Sequence, residues 1–369
     1  MTSTMRSSGV DTDLLRAAVG AVTEPETGRT LAELGLVEDV STRWGGRVRV
    51  RVGLIVRDHP SADVLRAGVA AAAATVTGVR QTAVDLVPLT ERARADAGDR
   101  LRARSRPIGD TPRVYAVASG KGGVGKSTVT ANLAAALAAD GQRVGVLDAD
   151  VWGYSIPQLF GVRRSPVVVG GMMLPISACG VRLISTGFFL DEDQPVMWRG
   201  PMLHKALEQF LADVCWGELD VLLLDLPPGT GDITLSLLEL LPDAALLAVT
   251  TPQVAARSVA SRVVRMARDT GMPVAGVVEN MSAAVCDHCG QETPVFGSGG
   301  GDHLAEQAGA PLLGRVPLDV AAREAGDRGV PVVLDHPDAC SAVEFRRIAA
   351  GLPVARRSLL GRALPLLVK

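Results

Sequence analysis

The chain changes hydrophobic rhythm partway along its length. Asp11 to Val22 and Ser61 to Thr77 carry apolar residues at helical spacing, whereas Val48 to Val56 (VRVRVGLIV) alternates apolar and polar positions and Val79 to Val87 closes with another strand pattern. These segments predict a small α+β module over residues 1–90. From Arg113 the pattern differs. Arg113 to Ser119 (RVYAVAS) reads as a short buried strand, and Lys126 to Ala139 (KSTVTANLAAALAA) as an alanine-rich helix closed by Asp140-Gly141. Further apolar strands are predicted at Arg143 to Leu147, Val221 to Leu224 and Val274 to Val278. Such alternation predicts an α/β domain over residues 113–355, a mostly parallel doubly wound sheet whose ligands sit at the carboxyl ends of its strands. Between the two domains, residues 91–112 (ERARADAGDRLRARSRPIGDTP) alternate arginine with alanine and acids, sustain no apolar face and end in Pro107 and Pro112, which predicts a linker. Residues 356–369 form a basic tail.

Composition narrows the classes. At 369 residues and 47% apolar content the chain exceeds one average domain and can bury a large core. A net charge of −2 gives no global attraction to nucleic acid, so none is expected as partner. No apolar run reaches the length of a membrane span and the N-terminus lacks a signal core, so the expected location is cytoplasmic. Five cysteines, an odd number in a long chain, argue against a disulfide framework and leave metal or redox chemistry open.

The basic residues carry the first chemical signal. Only four of 38 are lysine, and two of these, Lys121 and Lys126, lie in Gly120-Lys121-Gly122-Gly123-Val124-Gly125-Lys126-Ser127-Thr128. A compact ammonium in an arginine-rich chain suits a phosphate. The run fits G-x-x-x-x-G-K-[ST], in which backbone N–H groups wrap the phosphates, Lys126 reaches the β- and γ-phosphates and Ser127 is placed to ligate magnesium. The strand before it and the helix after it favour this over a plain glycine-rich loop. Asp148 and Asp150 leave the strand Arg143–Leu147; Asp150 is read as catalytic, orienting the attacking water, and Asp148 as supporting it, although both also suit a turn. Asp225 follows Val221 to Leu224 directly and is placed to bind magnesium through water, and the turn after it (LPPGTGD) brings Gly229 toward the γ-phosphate. No N-K-x-D guanine signature occurs, which leans toward adenine; Asn280 is a candidate for its edge and Thr250-Thr-Pro-Gln253 for a nucleotide-side loop, both equally readable as ordinary loop residues.

The second signal is Cys286-Asp-His-Cys289 in a glycine-bounded loop. Two thiolates at this spacing converge on one metal but supply half of a tetrahedral set. A redox dithiol, a zinc staple and a cluster shared by two chains on a two-fold axis are the open readings. Cys179, Cys215 and Cys340 are scattered and read as buried and inert. His288 is read as a flank of the motif.

The combination GKGGVGKST, LDADVWGYSIP, PVMWRGPM, DLPPGTGD, VTTPQ and ENMS followed by CDHC resembles the Mrp/ApbC family of iron-sulfur cluster carrier ATPases over residues 112 to 355, within the MinD/ParA superfamily. The module ahead of it, with PETGRTLAELGLVEDV, resembles the small domain often found before such ATPases and in iron-sulfur assembly factors; His59-Pro60 stands where that family often has Cys-Pro, so His59 is expected to be a loop residue and the module a docking element. The resemblance implies a homodimer with ATP and Mg2+, in which Lys121 crosses to the partner's nucleotide and Lys126, Asp150 and Asp225 serve hydrolysis. It also implies a labile [4Fe-4S] cluster held by Cys286 and Cys289 of both chains and passed to apoproteins. Asp287 and Tyr154 depart from prolines common in the family. A rival is a ParA- or MinD-like positioning ATPase acting at a membrane or nucleic-acid surface, its tail with Arg356, Arg357 and Arg362 among leucines suiting a membrane surface. A nitrogenase-reductase-like donor is disfavoured, since DLPPGTGD lacks a cysteine.

Overall fold

The computed structural model describes residues 9–57, 59–104, 113–151, 153–189, 200–229, 231, 234, 236, 239–286 and 288–353. The chain forms two compact units. One comprises Met1–Pro107 with Pro166–Ile176 and Asp213–Gly217; the other comprises Ile108–Ser165, Ser177–Ala212 and Glu218–Lys369.

In the first unit the expected α+β pattern is present. Asp11 caps the helix Thr12–Gly20 by accepting from the Asp13 and Leu14 amides, and Thr30 and Glu33 form a capping box on the short helix Leu31–Leu34. The strands Val37–Arg43, Arg47–Leu54 and Gln81–Pro88 form one sheet, the middle strand antiparallel to the first and parallel to the last. The helix Ala62–Ala74 supplies the crossover that a parallel pair requires.

The arginine-rich stretch departs from the linker expectation. Glu91–Arg104 is a helix. Ala97 and Leu101 are each 1% exposed in the same apolar cluster as Leu34, Val169 and Met172. Gly98 lies against the hairpin of Val167–Val169 and Met172–Leu174: a Cβ there would stand 2.4 Å from the Gly170 Cα. Arg94 and Arg102 donate to the Val168 and Gly170 carbonyls of that hairpin at 3.3 and 3.1 Å. Residues 105–112, the rest of the expected linker, and the basic tail with Arg356, Arg357 and Arg362 lie outside the described residues.

The second unit is built on a nine-stranded sheet. Its strands run in space Ile176–Ala178, Val181–Ser185, Val144–Asp148, Val221–Asp225, Arg113–Ser119, Ala245–Thr250 and Val274–Val285, the last pairing with both Glu292–Thr293 and Leu312–Leu318. From Val181–Ser185 to Leu312–Leu318 the pairings are parallel, as the doubly wound expectation requires, while Glu292–Thr293 runs antiparallel to Val274–Val285. Parallel strands covered on both faces are continuous apolar runs, and Val221–Asp225 and Ala245–Thr250 are buried throughout. The helix Lys126–Ala139 is buried from Val129 to Leu137. Its alanines suit close approach to the sheet and to Cys340–Ala350.

Candidate nucleotide site and thiol hairpin

The central strand Arg113–Ser119 delivers the chain into the loop that starts the helix Lys126–Ala139. Gly123 and Gly125 adopt φ of +79°, a conformation glycine alone enters freely, and this bends the loop back over the helix N-terminus. The loop lines a cavity of about 570 Å³ together with Asp150, Gly153, Ser155, Pro227, Pro228 and Gly231.

Strand register gathers the carboxylates. Asp225 lies level with Asp148 on one neighbouring strand and with Val117 on the other, at the carboxyl ends of all three. Lys126 Nζ donates to Asp225 Oδ2 at 2.7 Å and stands 3.7 Å from Asp150 Oδ2. Ser127 Oγ donates to Asp225 Oδ2 at 2.6 Å, and Thr130 Oγ1, one helical turn on from Lys126, to Asp225 Oδ1 at 2.7 Å. Asp150 in turn accepts from the Gly153 amide at 3.0 Å, which fixes its side chain at the cavity wall. Ser127 lines the cavity and Asp225, buried directly behind it, accepts from Ser127 Oγ; these oxygen donors suit magnesium, a hard cation.

Asp148 is fully buried and accepts from Ser185 Oγ at 2.9 Å and from the Asp150 amide at 3.1 Å. Burial, reinforced by the nearby Asp225 charge, pushes its carboxyl up to about 8 from 3.8. Its two hydrogen bonds tie Asp148 to Ser185 and to the Asp150 amide, and burial favours its protonated form. The sign follows: between the unfolded and folded values the native state holds a proton that the unfolded chain releases, so Asp148 lowers stability as pH rises through that window. Thermal melts of the nucleotide-free protein should fall from acidic toward alkaline pH, and Asp148→Asn should flatten that slope. An unchanged slope in the variant would show that Asp148 is ionised throughout.

The remaining predicted residues fall around the same loop. Gly229, at φ +93°, donates its amide to the Ser119 carbonyl at 2.8 Å and so ties the Pro227-Pro228 turn to the end of the central strand. Lys121 Nζ donates to Gln253 Oε1 at 2.9 Å, joining the loop to the Thr250–Gln253 segment. Asn280 is buried, and its amide is engaged: Nδ2 donates to the Val124 carbonyl at 2.8 Å. A second cavity of about 450 Å³, lined by Gly125, Thr128 and Asn280, continues toward Met281, Pro317, Asp319 and Phe345. The predicted nucleotide-site residues thus surround one loop and its two cavities, with Asp148 buried behind them. Sequence reasoning missed Thr130, Ser185 and Pro317 to Asp319 at the end of the strand Leu312–Leu318; of these, Ser185 was signalled by its place at the carboxyl end of a parallel strand. Trp152, Thr230, Asp232, Asp287 and residues 190–199, which include most of PVMWRGPM, lie outside the described residues.

The strand expected to end at Val278 runs on to Val285. Met281, directly after Asn280, sits at φ +56°, a strained value for a side-chain-bearing residue. Cys286 then opens the glycine-bounded loop, which closes a hairpin: its amide donates to the Gln291 carbonyl at 3.0 Å, its carbonyl accepts from Gly290 at 2.8 Å, and Glu292–Thr293 pairs back onto Ala284 and Val285. Cys286 and Cys289 are both exposed, as is His288. Of the other cysteines only Cys215 is buried; Cys179 and Cys340 are exposed, contrary to expectation, because Cys179 occupies a tight turn at φ +50° and Cys340 opens a surface helix. His59 lies in the loop before the helix Ala62–Ala74, as expected, but is not a free loop side chain. It is buried, with Nε2 2.6 Å from Glu24 Oε1 and Nδ1 accepting from the Ser61 amide at 3.1 Å. Among the described residues, no helix is long and apolar enough to cross a membrane.

Two family models match the chain. Residues 110–352 match the NUBPL iron-transfer P-loop NTPase family, and residues 13–86 match an iron-sulfur cluster assembly protein family. An iron-sulfur cluster carrier protein of Mycobacterium tuberculosis is 47% identical over 365 residues, covering 95% of this chain and 96% of its own. One of Deinococcus radiodurans is 42% identical, covering 92% and 94%. Among solved structures, a nucleotide-binding protein from Archaeoglobus fulgidus in complex with ADP is 37% identical with a TM-score of 0.54, covering 62% of this chain and 90% of its own. The cell division ATPase MinD of Pyrococcus furiosus, at 22% identity, TM-score 0.50 and coverage of 65% and 98%, shares the fold.

Proposed function

The chain belongs to the iron-transfer P-loop NTPase family, and from that premise we propose that it is an ATP-dependent carrier which holds a labile [4Fe-4S] cluster between two copies of itself and passes it to apoproteins. One observation carries this reading. The strand Val274–Val285 holds the phosphate loop through Asn280 and, six residues later, presents Cys286. The strand is irregular between the two, with a register shift after Asn280, and ends at Val285. Nucleotide state and thiol position are therefore properties of one element, with the left-handed Met281 as the joint between them.

In this mechanism the phosphates lie against the loop amides from Gly122 to Thr128, and Lys126 Nζ turns from Asp225 toward them. Ser127 and Asp225 would hold magnesium, which supplies charge neutralisation at the phosphates. Asp150, fixed by Gly153, orients the attacking water. The adenosine extends from Gly125 into the second cavity, where the unengaged Asn280 carbonyl oxygen faces the base. Lys121, held by Gln253 in the single chain, is released to the nucleotide of the partner copy. Two such copies place four thiolates about one axis, and hydrolysis alters the spacing between them. Nucleotide can bias cluster release only by its differential affinity for the two spacings.

The test is anaerobic reconstitution followed by iron and acid-labile sulfide analysis and by size measurement. The expected result is about four iron and four sulfide per pair of chains. Bound zinc without sulfide, or iron retained by a lone chain, overturns the reading.

A further inference from the structure

The three-stranded sheet of the N-terminal unit turns its valines inward and its arginines outward. Val48, Val50 and Val52 are buried, while Arg47, Arg49 and Arg51 between them are exposed. Arg43 lies directly across from Arg47 in the antiparallel register. Arg49 pairs with Asp85 at 3.0 Å, whereas Arg43, Arg47 and Arg51 make no ion pair among the described residues. Like charges placed opposite one another on a sheet repel, so the isolated unit gains nothing from Arg43 facing Arg47.

The turn between those two arginines exposes Trp44 at 88%. It is a fixed turn. Gly45 and Gly46 take φ of +80° and +74°, and the Gly46 carbonyl accepts from the Arg80 and Gln81 amides at 2.8 and 3.3 Å. An indole exposed to water at a backbone-fixed turn costs apolar hydration with no gain inside the unit, a cost removed when a partner covers it. Unpaired guanidiniums on one face and an exposed aromatic on a fixed turn at its end are the features of a docking surface.

We propose that this face docks an acidic, extended segment of a partner protein, carboxylates at alternate positions meeting Arg47, Arg49 and Arg51 while Trp44 covers an apolar residue at one end. The arginines repeat every second residue, about 6.5 to 7 Å, which is the repeat of same-side carboxylates on an extended chain. Guanidinium and carboxylate match as planar, two-bond partners. Asp39 and Asp85 share the face with the arginines, and the chain carries a net charge of −2; both disfavour a phosphate backbone and favour a protein ligand that can interleave its own charges. Docking here uses neither the nucleotide cavity nor the thiol hairpin, so it goes beyond the carrier reading and stands or falls separately.

The experiment is fluorescence anisotropy on the full-length, nucleotide-free protein with a short labelled peptide carrying glutamate at alternate positions and a terminal leucine. A matched glutamine peptide and a labelled oligouridylate serve as the other probes. The glutamate peptide should bind in low salt and weaken as salt rises. The triple variant Arg43→Gln, Arg47→Gln, Arg51→Gln, which spares the Arg49–Asp85 pair, should weaken it by about tenfold or more. Trp44→Ala should weaken it by about fivefold or more through a change that leaves every charge in place. Equal binding of the glutamine peptide, wild-type affinity in the triple variant, or tighter binding of the oligouridylate overturns the proposal.

Discussion

Lys126→Ala is expected to abolish measurable ATP turnover while leaving the protein folded. In the nucleotide-free chain Lys126 Nζ neutralises Asp225, which is fully buried, and lies near Asp150. Removing the ammonium leaves these carboxylates without their cation. A buried ion pair broken at one side typically costs about 3–5 kcal/mol. Here Asp225 keeps the Ser127 and Thr130 hydroxyls, so a loss nearer 1–3 kcal/mol is expected. Turnover suffers more, because the lost group acts on charge developing at the phosphates; about 10² to 10³-fold is the usual scale for one such donor. Melts with and without ATP and magnesium check both parts. Nucleotide should raise the wild-type melting temperature and leave that of the variant unmoved. Retained hydrolysis in Lys126→Ala would place the phosphate site elsewhere.

What the sequence disclosed depended on how far apart the interacting residues lie. The phosphate loop is nine consecutive residues whose chemistry is local, and Asp148 and Asp225 each terminate an apolar strand, so their gathering at one sheet edge follows once the strands are parallel. Other features rest on partners remote in sequence. The helix Glu91–Arg104 shows no apolar face because its buried stripe is only Ala97, Gly98 and Leu101, and the hairpin that gives those small residues their value lies 74 residues from Arg94 at Val168. His59 is the loop residue its sequence suggests, but its burial depends on Glu24, 35 residues earlier, which closes on it. Asn280 suggests a base contact, yet its amide hydrogen is taken by Val124, 156 residues away. That bond moves Asn280 from a ligand contact alone to the link between the loop and the thiol strand.

That link makes the cysteines the second decisive position. Cys286→Ser is expected to reduce reconstituted iron and sulfide to background while ATP turnover stays near the wild-type value. Each chain offers two exposed thiols in one hairpin, so a single substitution removes two of the four sulfurs from a two-chain site, and a serine hydroxyl is a harder and far less acidic ligand than a thiol. The fold should be indifferent. Cys286 is exposed, and the turn around it is held by its backbone amide and carbonyl, which serine keeps. Cys289→Ser should behave alike, whereas His288→Ala should retain iron at the wild-type ratio if the imidazole only flanks the site. Mixed assemblies of wild-type and Cys286→Ser chains sharpen the test, since a shared cluster requires the substituted chain to lower retention by its unmodified partner. Iron retained in strict proportion to the wild-type chains present would mean that each hairpin binds metal alone, and the two-chain cage would have to be abandoned.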